Sequence, residues 1–265
     1  MVKVGEKPQY MAIKNTSSIK KAKKKSEISV KKAIIQQKGQ IIKRKIVLTE
    51  ETRQIEYLLK NDINFNILYS LIGDITYYLD TDCYGFMVKT IINQMLSNKV
   101  GDILITRLIQ LCETGILDVQ SISLLSFEEI KAIGLSQKKT QSIIDFTNYY
   151  KENDYSYKYF AALTDEQIIK ELTVVKGIGI WSAKMFLIFV IGRENIIPYE
   201  DMAYQNAFIW YKGLNSFPSK QEILKLSKKW SPFNSIFARY LYIALDNGFI
   251  QKPFSVYKKQ FKRVL

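Results

Sequence analysis

The residue best suited to chemistry in this sequence is an aspartate at the expected start of a helix. Asp201 follows Glu200 and precedes a segment with the pattern of a helix, 202–210, and Pro198 lies three positions upstream. The partial positive charge of a helix N-terminus stabilises an ionised carboxylate. A fixed anion of this kind can stabilise developing positive charge and can orient or deprotonate a water molecule. The pattern is also typical of an ordinary acidic N-cap, so a structural interpretation stays open, and Glu200 is the second catalytic candidate.

The composition excludes several other kinds of catalytic site. The chain has no histidine, which removes the Ser-His and Cys-His nucleophile systems and most zinc sites. Cys83 and Cys112 are the only cysteines, too few for a four-cysteine iron–sulfur cluster and without the spacing of a disulfide framework. Catalysis must therefore come from carboxylates, lysines, hydroxyls or backbone groups.

The positive charge is concentrated at the two ends of the chain. The net charge is +14, yet residues 1–46 hold fourteen Lys and Arg against two acidic residues, and 250–265 hold five basic residues and no acidic one. The middle carries twenty basic and twenty-three acidic residues. We therefore divide the chain into a basic, partly disordered N-terminal arm (1–46), a helical domain (47–249) and a basic C-terminal tail (250–265). The arm is either a solubilising tail, or a phosphate tether or targeting signal.

Between the ends, the hydrophobic pattern predicts a series of helices. Apolar residues recur at helical spacing, and short loops separate the segments. The basic stretch 28–48 predicts one or two strands at most, so we expect an all-α fold. The predicted helices begin near Thr49 and then cover, in chain order, 65–72, 86–96, 100–112, 127–133, 137–150, 165–172, 181–191, 203–211, 220–230 and 233–247.

No segment predicts membrane insertion or secretion. The longest apolar run, Met185–Ile191, is far shorter than the roughly 18 residues that a membrane-spanning helix needs. The first residues lack an apolar signal region, and the cysteine usage suits a reducing compartment. We expect an intracellular monomer, in the cytoplasm or nucleoid, or in the nucleus of a eukaryote.

A glycine-rich turn between two predicted helices is the most specific motif. In the segment 172–183, Gly177 and Gly179 flank one aliphatic residue, and a long apolar helix follows. Glycines permit backbone angles and close approaches that side chains forbid. The amides at the start of the next helix can then bind an anion such as a DNA phosphate, and Ile178 can anchor the turn in the core. A Gly-x-Gly pair alone is more often only a structural turn.

The extended run Gly177-Ile-Gly-Ile-Trp-Ser-Ala183 resembles the hairpin of the helix-hairpin-helix Gly/Pro-Asp (HhH-GPD) DNA glycosylases, especially the 3-methyladenine DNA glycosylase II type. The resemblance, which extends over about residues 55–248, implies a two-lobed helical fold with a cleft between the lobes. It implies that hairpin amides bind DNA phosphate at Gly177, Gly179 and Ser182. In this family hairpin carbonyls often hold a structural monovalent cation (K⁺ or Na⁺), here those of Thr173, Val175 and Ile178. No required cofactor is expected.

The resemblance also favours Asp201 as the catalytic residue. The family places its essential aspartate in a Pro-x-x-Asp context about twenty residues beyond the hairpin tryptophan, and Asp201 satisfies both conditions. Cleavage of an N-glycosidic bond builds positive charge on the sugar, which a fixed carboxylate stabilises. Members that also nick the strand carry a Schiff-base lysine where this chain has Trp181, and Lys184 lies three residues further on. We therefore expect base excision without a lyase step.

Four further positions resemble the parts of the family that extrude and receive a damaged base. Gln94 and Met95 match a segment that penetrates DNA, with Met95 as the apolar wedge, although a Met on an apolar helix is as often a core residue. Trp181 and Tyr242 match aromatic positions of the base pocket, whose electron-rich faces would attract a cationic methylated purine. Asn234 departs from the pattern because the family usually has arginine there.

Together these features predict a monofunctional DNA glycosylase that acts on double-stranded DNA containing damaged bases and hydrolyses the N-glycosidic bond of alkylated purines, 3-methyladenine above all. Two alternatives stay open. The same fold can act on an oxidised or deaminated base, because base choice depends on the shape of the pocket. A non-catalytic module can use the hairpin only to hold DNA, but such a module does not need Asp201 at this spacing.

Overall fold

Apolar residues at helical spacing produce a largely helical protein. The computed structural model describes residues 44–153 and 155–261, which form helices and one two-stranded sheet. The prediction of a helical fold is confirmed. The arm up to residue 43, with the predicted strand residues in it, lies outside the described residues. Across the described ranges, no helix is long and apolar enough to cross a membrane.

Short connections join the elements along the chain. In order they are β1 (Arg44–Leu48), α1 (Arg53–Asn61), α2 (Ile63–Ile72), β2 (Ile75–Leu79), α3 (Cys83–Asn93), α4 (Asn98–Leu111), α5 (Val119–Ser123), α6 (Phe127–Ala132), α7 (Gln137–Glu152), α8 (Tyr157–Ala162), α9 (Asp165–Thr173), α10 (Ile180–Phe186), α11 (Met202–Lys212), α12 (Lys220–Ser227), α13 (Asn234–Asp246) and α14 (Phe254–Phe261). A π-helical turn, Leu187–Ile191, extends α10, and short 3₁₀ turns follow α12 and α13.

Side-chain caps explain where most of these helices begin. Ser126 and Thr164 each form a capping box, in which the N-cap hydroxyl accepts an amide and the third helical residue bonds back to the N-cap. Asp62 ends α1 and caps α2 through the amide of Asn64. These caps satisfy amides that a helix start would otherwise leave without an acceptor.

The helices pack in two groups that correspond to the two expected lobes. In the first group α3, α5 and α6 lie against α7, while α4 and α10 lie against α3. In the second group α2 and α11 lie against α13, and α14 contacts both α2 and α11. The π-helical extension of α10 contacts α8 and β2, so the helix after the hairpin reaches from the first group to the sheet.

Strand β2 is missing from the sequence-based prediction. It pairs antiparallel with β1, with Arg44 opposite Leu79 and Leu48 opposite Ile75. The pairing partner lies about thirty residues away in sequence, and a five-residue apolar run does not by itself distinguish a strand from a helix end. The backbone also departs from prediction after α3, which ends at Asn93 rather than continuing to residue 96.

The basic stretch after residue 249 includes an ordered helix. Phe254, at the start of α14, is buried and packs edge-on against Trp210 with ring centroids 4.9 Å apart. The Trp210 indole also donates to the carbonyl of Lys252 at 2.8 Å. These contacts attach α14 to α11, and the lysines of α14 lie at its far end.

Candidate functional site

The hairpin between α9 and α10 depends on a glycine with no room for a side chain. Gly177 has φ of +95°, and a Cβ added there would lie 2.0 Å from the hydroxyl oxygen of Ser142 in α7. Ile178 is buried, and its amide donates to the carbonyl of Val175 at 3.0 Å. The hairpin is therefore seated on α7, and Ile178 anchors it in the core as the sequence predicts.

The helix that follows this hairpin begins without a side-chain cap. Gly179 is its N-cap, and the amide of Ala183 bonds back to the Gly179 carbonyl at 3.1 Å. The amides before Ala183 in the first turn have no acceptor within the helix. A Cβ on Gly179 would meet no atom within 4 Å, so a ligand has space to approach. An uncapped, accessible helix start of this kind suits a phosphate group.

Gln94 connects the end of α3 to the hairpin. Its side-chain nitrogen donates to the carbonyl of Gly177 at 2.9 Å and to the hydroxyl of Ser182 at 3.2 Å. Lys139 in α7 holds the backbone of the same segment, because its Nζ donates to the carbonyls of Ile92 at 2.8 Å and of Gln94 at 2.5 Å. The buried Ser182 hydroxyl thus accepts a hydrogen bond from Gln94, and the predicted phosphate contact is assigned to the Ser182 amide.

Met95 stands out from the surface beside the hairpin. It is fully exposed, at 101%, and has φ of +56°, a conformation that side-chain-bearing residues rarely adopt. The interpretation as a core methionine is therefore excluded. The preceding residue, Gln94, is fixed by its own side-chain bond to Gly177 and by the bond from Lys139 to its carbonyl, and these bonds hold the turn in place. An apolar side chain is thereby presented next to the uncapped helix start.

Asp201 is buried at the N-terminus of α11 and is held from two sides. One carboxylate oxygen accepts the amide of Tyr204 at 2.7 Å, which makes Asp201 the N-cap of α11. The other accepts the indole N–H of Trp181 at 2.6 Å. The carboxylate is only 7% exposed, and the hydrogen bond from α10 places it directly beside the hairpin helix. The structure therefore brings together the two residues that the sequence motif separates by twenty positions.

Glu200, the second catalytic candidate, has a different environment. Lys184 in α10 forms a salt bridge with it at 2.8 Å and also donates to the carbonyl of Ile197 at 2.9 Å. Burial lowers the pKa of Lys184 below its ordinary value, and the Glu200 carboxylate opposes that shift. Because the charge of Glu200 is neutralised by Lys184, the geometry favours Asp201 as the functional carboxylate.

Tyr242 lies in α13 behind this carboxylate. It is buried, and its ring centroid lies 6.4 Å from that of Tyr204, the residue whose amide caps Asp201. The same separation, 6.4 Å, joins it to Phe189 in the π-helical turn. Trp181 is half-buried and contacts Asp201 directly, and Tyr242 packs edge-on against Tyr204. Their predicted roles in a base pocket remain predictions.

The carbonyls predicted to bind a cation lie at the end of α9, for Thr173, and in the loop before α10, for Val175 and Ile178. Val175 already accepts the amide of Ile178, but a carbonyl oxygen has a second lone pair. Among the residues that the structure describes, no cluster of acidic residues and cysteines could hold a metal ion. Neutral carbonyl oxygens without a carboxylate fit a monovalent cation better than a multivalent metal ion.

Two polar residues of α13 are buried. The first, Asn234, stands where the family usually has arginine. Asn234 is buried, and its side-chain nitrogen donates to Asn195 at 2.7 Å, a packing contact within the protein.

Arg239 is buried with its guanidinium carbon 3.7 Å from the Tyr77 ring centroid and 4.6 Å from that of Phe189. Burial lowers the pKa of Arg239 to about 10. Sequence reasoning missed this residue, because its spacing on an apolar helix gives no sign that the charge is buried.

Comparison with known proteins gives related sequences and structures. DNA-3-methyladenine glycosylase 1 of Schizosaccharomyces pombe is 26% identical over 201 residues, which cover 74% of this chain and 88% of that protein. A Saccharomyces cerevisiae DNA-3-methyladenine glycosylase is 30% identical over 200 residues, which cover 69% and 66% of the two chains. The chain spans 61% of the length of Bacillus subtilis YfjP, which is 29% identical over 174 residues.

The fold is similar to that of a solved S. pombe protein, the 3-methyladenine DNA glycosylase Mag1 in complex with abasic DNA. The TM-score is 0.66 at 26% identity, with 72% of this chain and 95% of the other covered. The family model of the HhH-GPD superfamily base excision DNA repair proteins matches residues 88–233, which contain the hairpin, Gln94, Met95 and Asp201. This chain belongs to the HhH-GPD superfamily of base excision DNA repair proteins.

Proposed function

We propose that the protein is a monofunctional DNA glycosylase that excises alkylated purines, of the 3-methyladenine type, from double-stranded DNA. The observation that carries the proposal is the buried Asp201 carboxylate, fixed by Trp181 next to an uncapped hairpin helix. The names of the related yeast proteins and of the structural neighbour support the choice of substrate class.

In the proposed mechanism, Asp201 stabilises the positive charge that develops on the sugar as the N-glycosidic bond breaks. The amide of Tyr204 and the indole of Trp181 fix both carboxylate oxygens, so little reorganisation is needed during the reaction. The same carboxylate can orient or deprotonate the water that attacks the sugar. An alkylated purine is already cationic and leaves readily, so a chain without histidine needs no strong general acid.

DNA binding is assigned to the hairpin and to the neighbouring segment. The first-turn amides of α10 would hold one backbone phosphate. Met95 would enter the stack where the damaged nucleotide has left it, which fits its full exposure. A monovalent cation on the carbonyls of Thr173, Val175 and Ile178 would add positive charge near that phosphate.

The proposal excludes a lyase step on the basis of the residues near the site. Trp181 occupies the position of the Schiff-base lysine, and its indole donates to Asp201. Lys184, the nearest lysine along the helix, is only 11% exposed and its ammonium group is bound to Glu200 and Ile197. A lysine held in this way is not available to attack a sugar.

Duplexes with one alkylated, oxidised or deaminated base at the same position test the proposal. We expect excision from the alkylated duplex above all, and strand breaks only after treatment with alkali. Preferred excision of an oxidised or deaminated base would leave the assignment as a glycosylase intact but contradict the proposed substrate class. Breaks without alkali would contradict the monofunctional assignment. Binding to abasic DNA with no excision from any duplex would show a non-catalytic module.

Replacement of the proposed catalytic carboxylate should give the largest loss of activity. Asp201→Asn keeps an oxygen that can cap α11 but removes the charge, so the single-turnover excision rate should fall by about 10²-fold or more. Asp118→Asn is a matched control, since Asp118 is the N-cap of α5 and accepts the amide of Ser121. It should leave the excision rate unchanged. Wild-type excision by Asp201→Asn would exclude the assignment.

A further inference from the structure

The turn that precedes Asp201 is bound by Lys184, which has no role in the proposed mechanism. Residues Ile197–Glu200 form this turn, closed by the amide of Asp201, which donates to the carbonyl of Pro198 at 3.0 Å. Lys184 donates to both carboxylate oxygens of Glu200, at 3.0 and 2.8 Å, and to the carbonyl of Ile197 at 2.9 Å. One ammonium group therefore binds both ends of the turn.

Lys184 is also enclosed by the middle of the turn. Its Nζ lies 3.6 Å from the centroid of the Tyr199 ring, and its side chain is only 11% exposed. From α11, Gln205 donates to the carbonyl of Tyr199 at 2.6 Å, and Lys220 lies 4.7 Å from the same ring. The turn is thus held on several sides, and Lys184 is the contact that ties it to the hairpin helix.

The helix α10 therefore contacts the site at two successive levels. Trp181 binds the Asp201 carboxylate, and Lys184, one turn later on the same helix, binds the residues just before it. We propose that Lys184 is a positioning residue, which fixes the 197–200 turn so that the Asp201 carboxylate stays on the Trp181 indole. The inference rests on the proposed function, since it assigns Lys184 to the same reaction.

A carboxylate used in catalysis must be held within a fraction of an ångström of its working position. Loss of correct placement by about 1 Å can cost on the order of 10²-fold in rate. The Trp181 indole and the Tyr204 amide each bind one carboxylate oxygen, while the position of the Asp201 backbone depends on the preceding turn. Without Lys184 that turn loses three hydrogen bonds and its link to α10.

Single-turnover kinetics of Lys184→Met test the positioning role. We expect the excision rate to fall by about 10-fold, with the affinity for abasic-site duplex kept within about 2-fold. Lys184→Arg, which keeps the charge and several donors, should recover most of the rate. Rates are measured with enzyme in excess, and the active fraction is counted by titration with abasic-site duplex, so loss of folded protein does not count as loss of rate.

The same substitution in the Asp201→Asn background separates positioning from a general structural role. In the Asp201→Asn background there is no carboxylate for Lys184 to position. Lys184→Met should therefore change the residual excision rate of Asp201→Asn by less than about 2-fold. An equal fall in both backgrounds would overturn the proposal. So would a wild-type rate for Lys184→Met.

A spectroscopic readout keeps this inference separate from the assignment of activity. The chain has three tryptophans, so the indole N–H of Trp181 can be identified by NMR of ¹⁵N-labelled protein with a Trp181→Phe control. In Lys184→Met we expect this resonance to move toward its position in Asp201→Asn. An unmoved resonance would overturn the positioning role even if no duplex is ever cleaved, and a moved resonance without excision by the wild type would overturn only the proposed function.

Discussion

Two helix–glycine–helix hairpins in the described part of the chain differ in how the second helix begins. Gly134 joins α6 to α7, and Gly177 joins α9 to α10, with φ of +111° and +95°. Ser136 then caps α7 by accepting the amide of Lys139 at 3.4 Å. At the corresponding place before α10 stands Gly179, and no side chain caps the helix. The same backbone bend therefore leads to one closed helix start and to one open one.

This difference separates a supporting hairpin from the hairpin that we propose binds DNA. The Gly134 hairpin satisfies its own helix start and uses Lys139, in the first turn of α7, to hold the backbone of Gln94. Gln94 in turn bonds the Gly177 hairpin. The first hairpin thus supports the geometry of the second, and the start of the helix after the second has no side-chain cap. The shape of such a hairpin alone does not indicate DNA binding.

The largest expected difference in stability between the hairpins follows from their glycines. Gly177→Ala should lower the free energy of unfolding by about 2–4 kcal/mol, because strained backbone and the clash with Ser142 add together. Gly134→Ala should cost only about 1–2 kcal/mol, since the nearest atom, a methyl group of Leu104, is 3.2 Å away and can shift. Urea denaturation measures both.

Gly213→Ala is the control for backbone strain without a steric contact. Gly213 has φ of +67° and no atom within 4 Å of an added Cβ. Its cost should match that of Gly134→Ala. A Gly177→Ala protein no less stable than Gly213→Ala would contradict the tight seating of the Gly177 hairpin on α7.

The next effect concerns the link between the hairpins. Lys139→Met removes both hydrogen bonds to the segment before Met95, so the exposed turn should lose its fixed conformation. We expect faster amide exchange at residues 94–97 and excision slowed by roughly 10-fold, because the wedge is no longer preorganised. Lys138→Met, at the exposed neighbouring position, is the control. Unchanged exchange at 94–97 in Lys139→Met would show that the hairpins are independent.

The local parts of the site could be predicted from the sequence. Gly177 and Gly179 show the bend, and Asp201 shows a helix start, because backbone angles and caps depend on adjacent residues. Helix positions follow from apolar periodicity for the same reason. The spacing between Trp181 and Asp201 was part of the resemblance to the glycosylase family. In the structure this spacing allows a hydrogen bond of 2.6 Å between the Trp181 indole and the Asp201 carboxylate.

The non-local parts could not be predicted. Strand β2 is stabilised by pairing with β1, which lies about thirty residues earlier, and its five residues alone do not indicate a strand. Backbone carbonyls distant in sequence accept hydrogen bonds from Gln94, Lys139 and Lys184. Every residue has such a carbonyl, so the residue types do not indicate these contacts. The salt bridge between Lys184 and Glu200 also favours Asp201 over Glu200 as the catalytic candidate, a choice that the sequence left open.

The most direct test of the contrast between the hairpins is the affinity for abasic-site duplex after Gly179→Ser. The backbone at Gly179 has φ of −96° and space for a Cβ, so the protein accepts serine and should keep or slightly raise its melting temperature. The new hydroxyl would cap α10 as Ser136 caps α7, and would compete with phosphate for the same amides. We predict an affinity about 10-fold weaker for Gly179→Ser, with Ser136→Gly at wild-type affinity. Wild-type affinity for a folded Gly179→Ser protein would contradict the assignment of the open helix start to DNA.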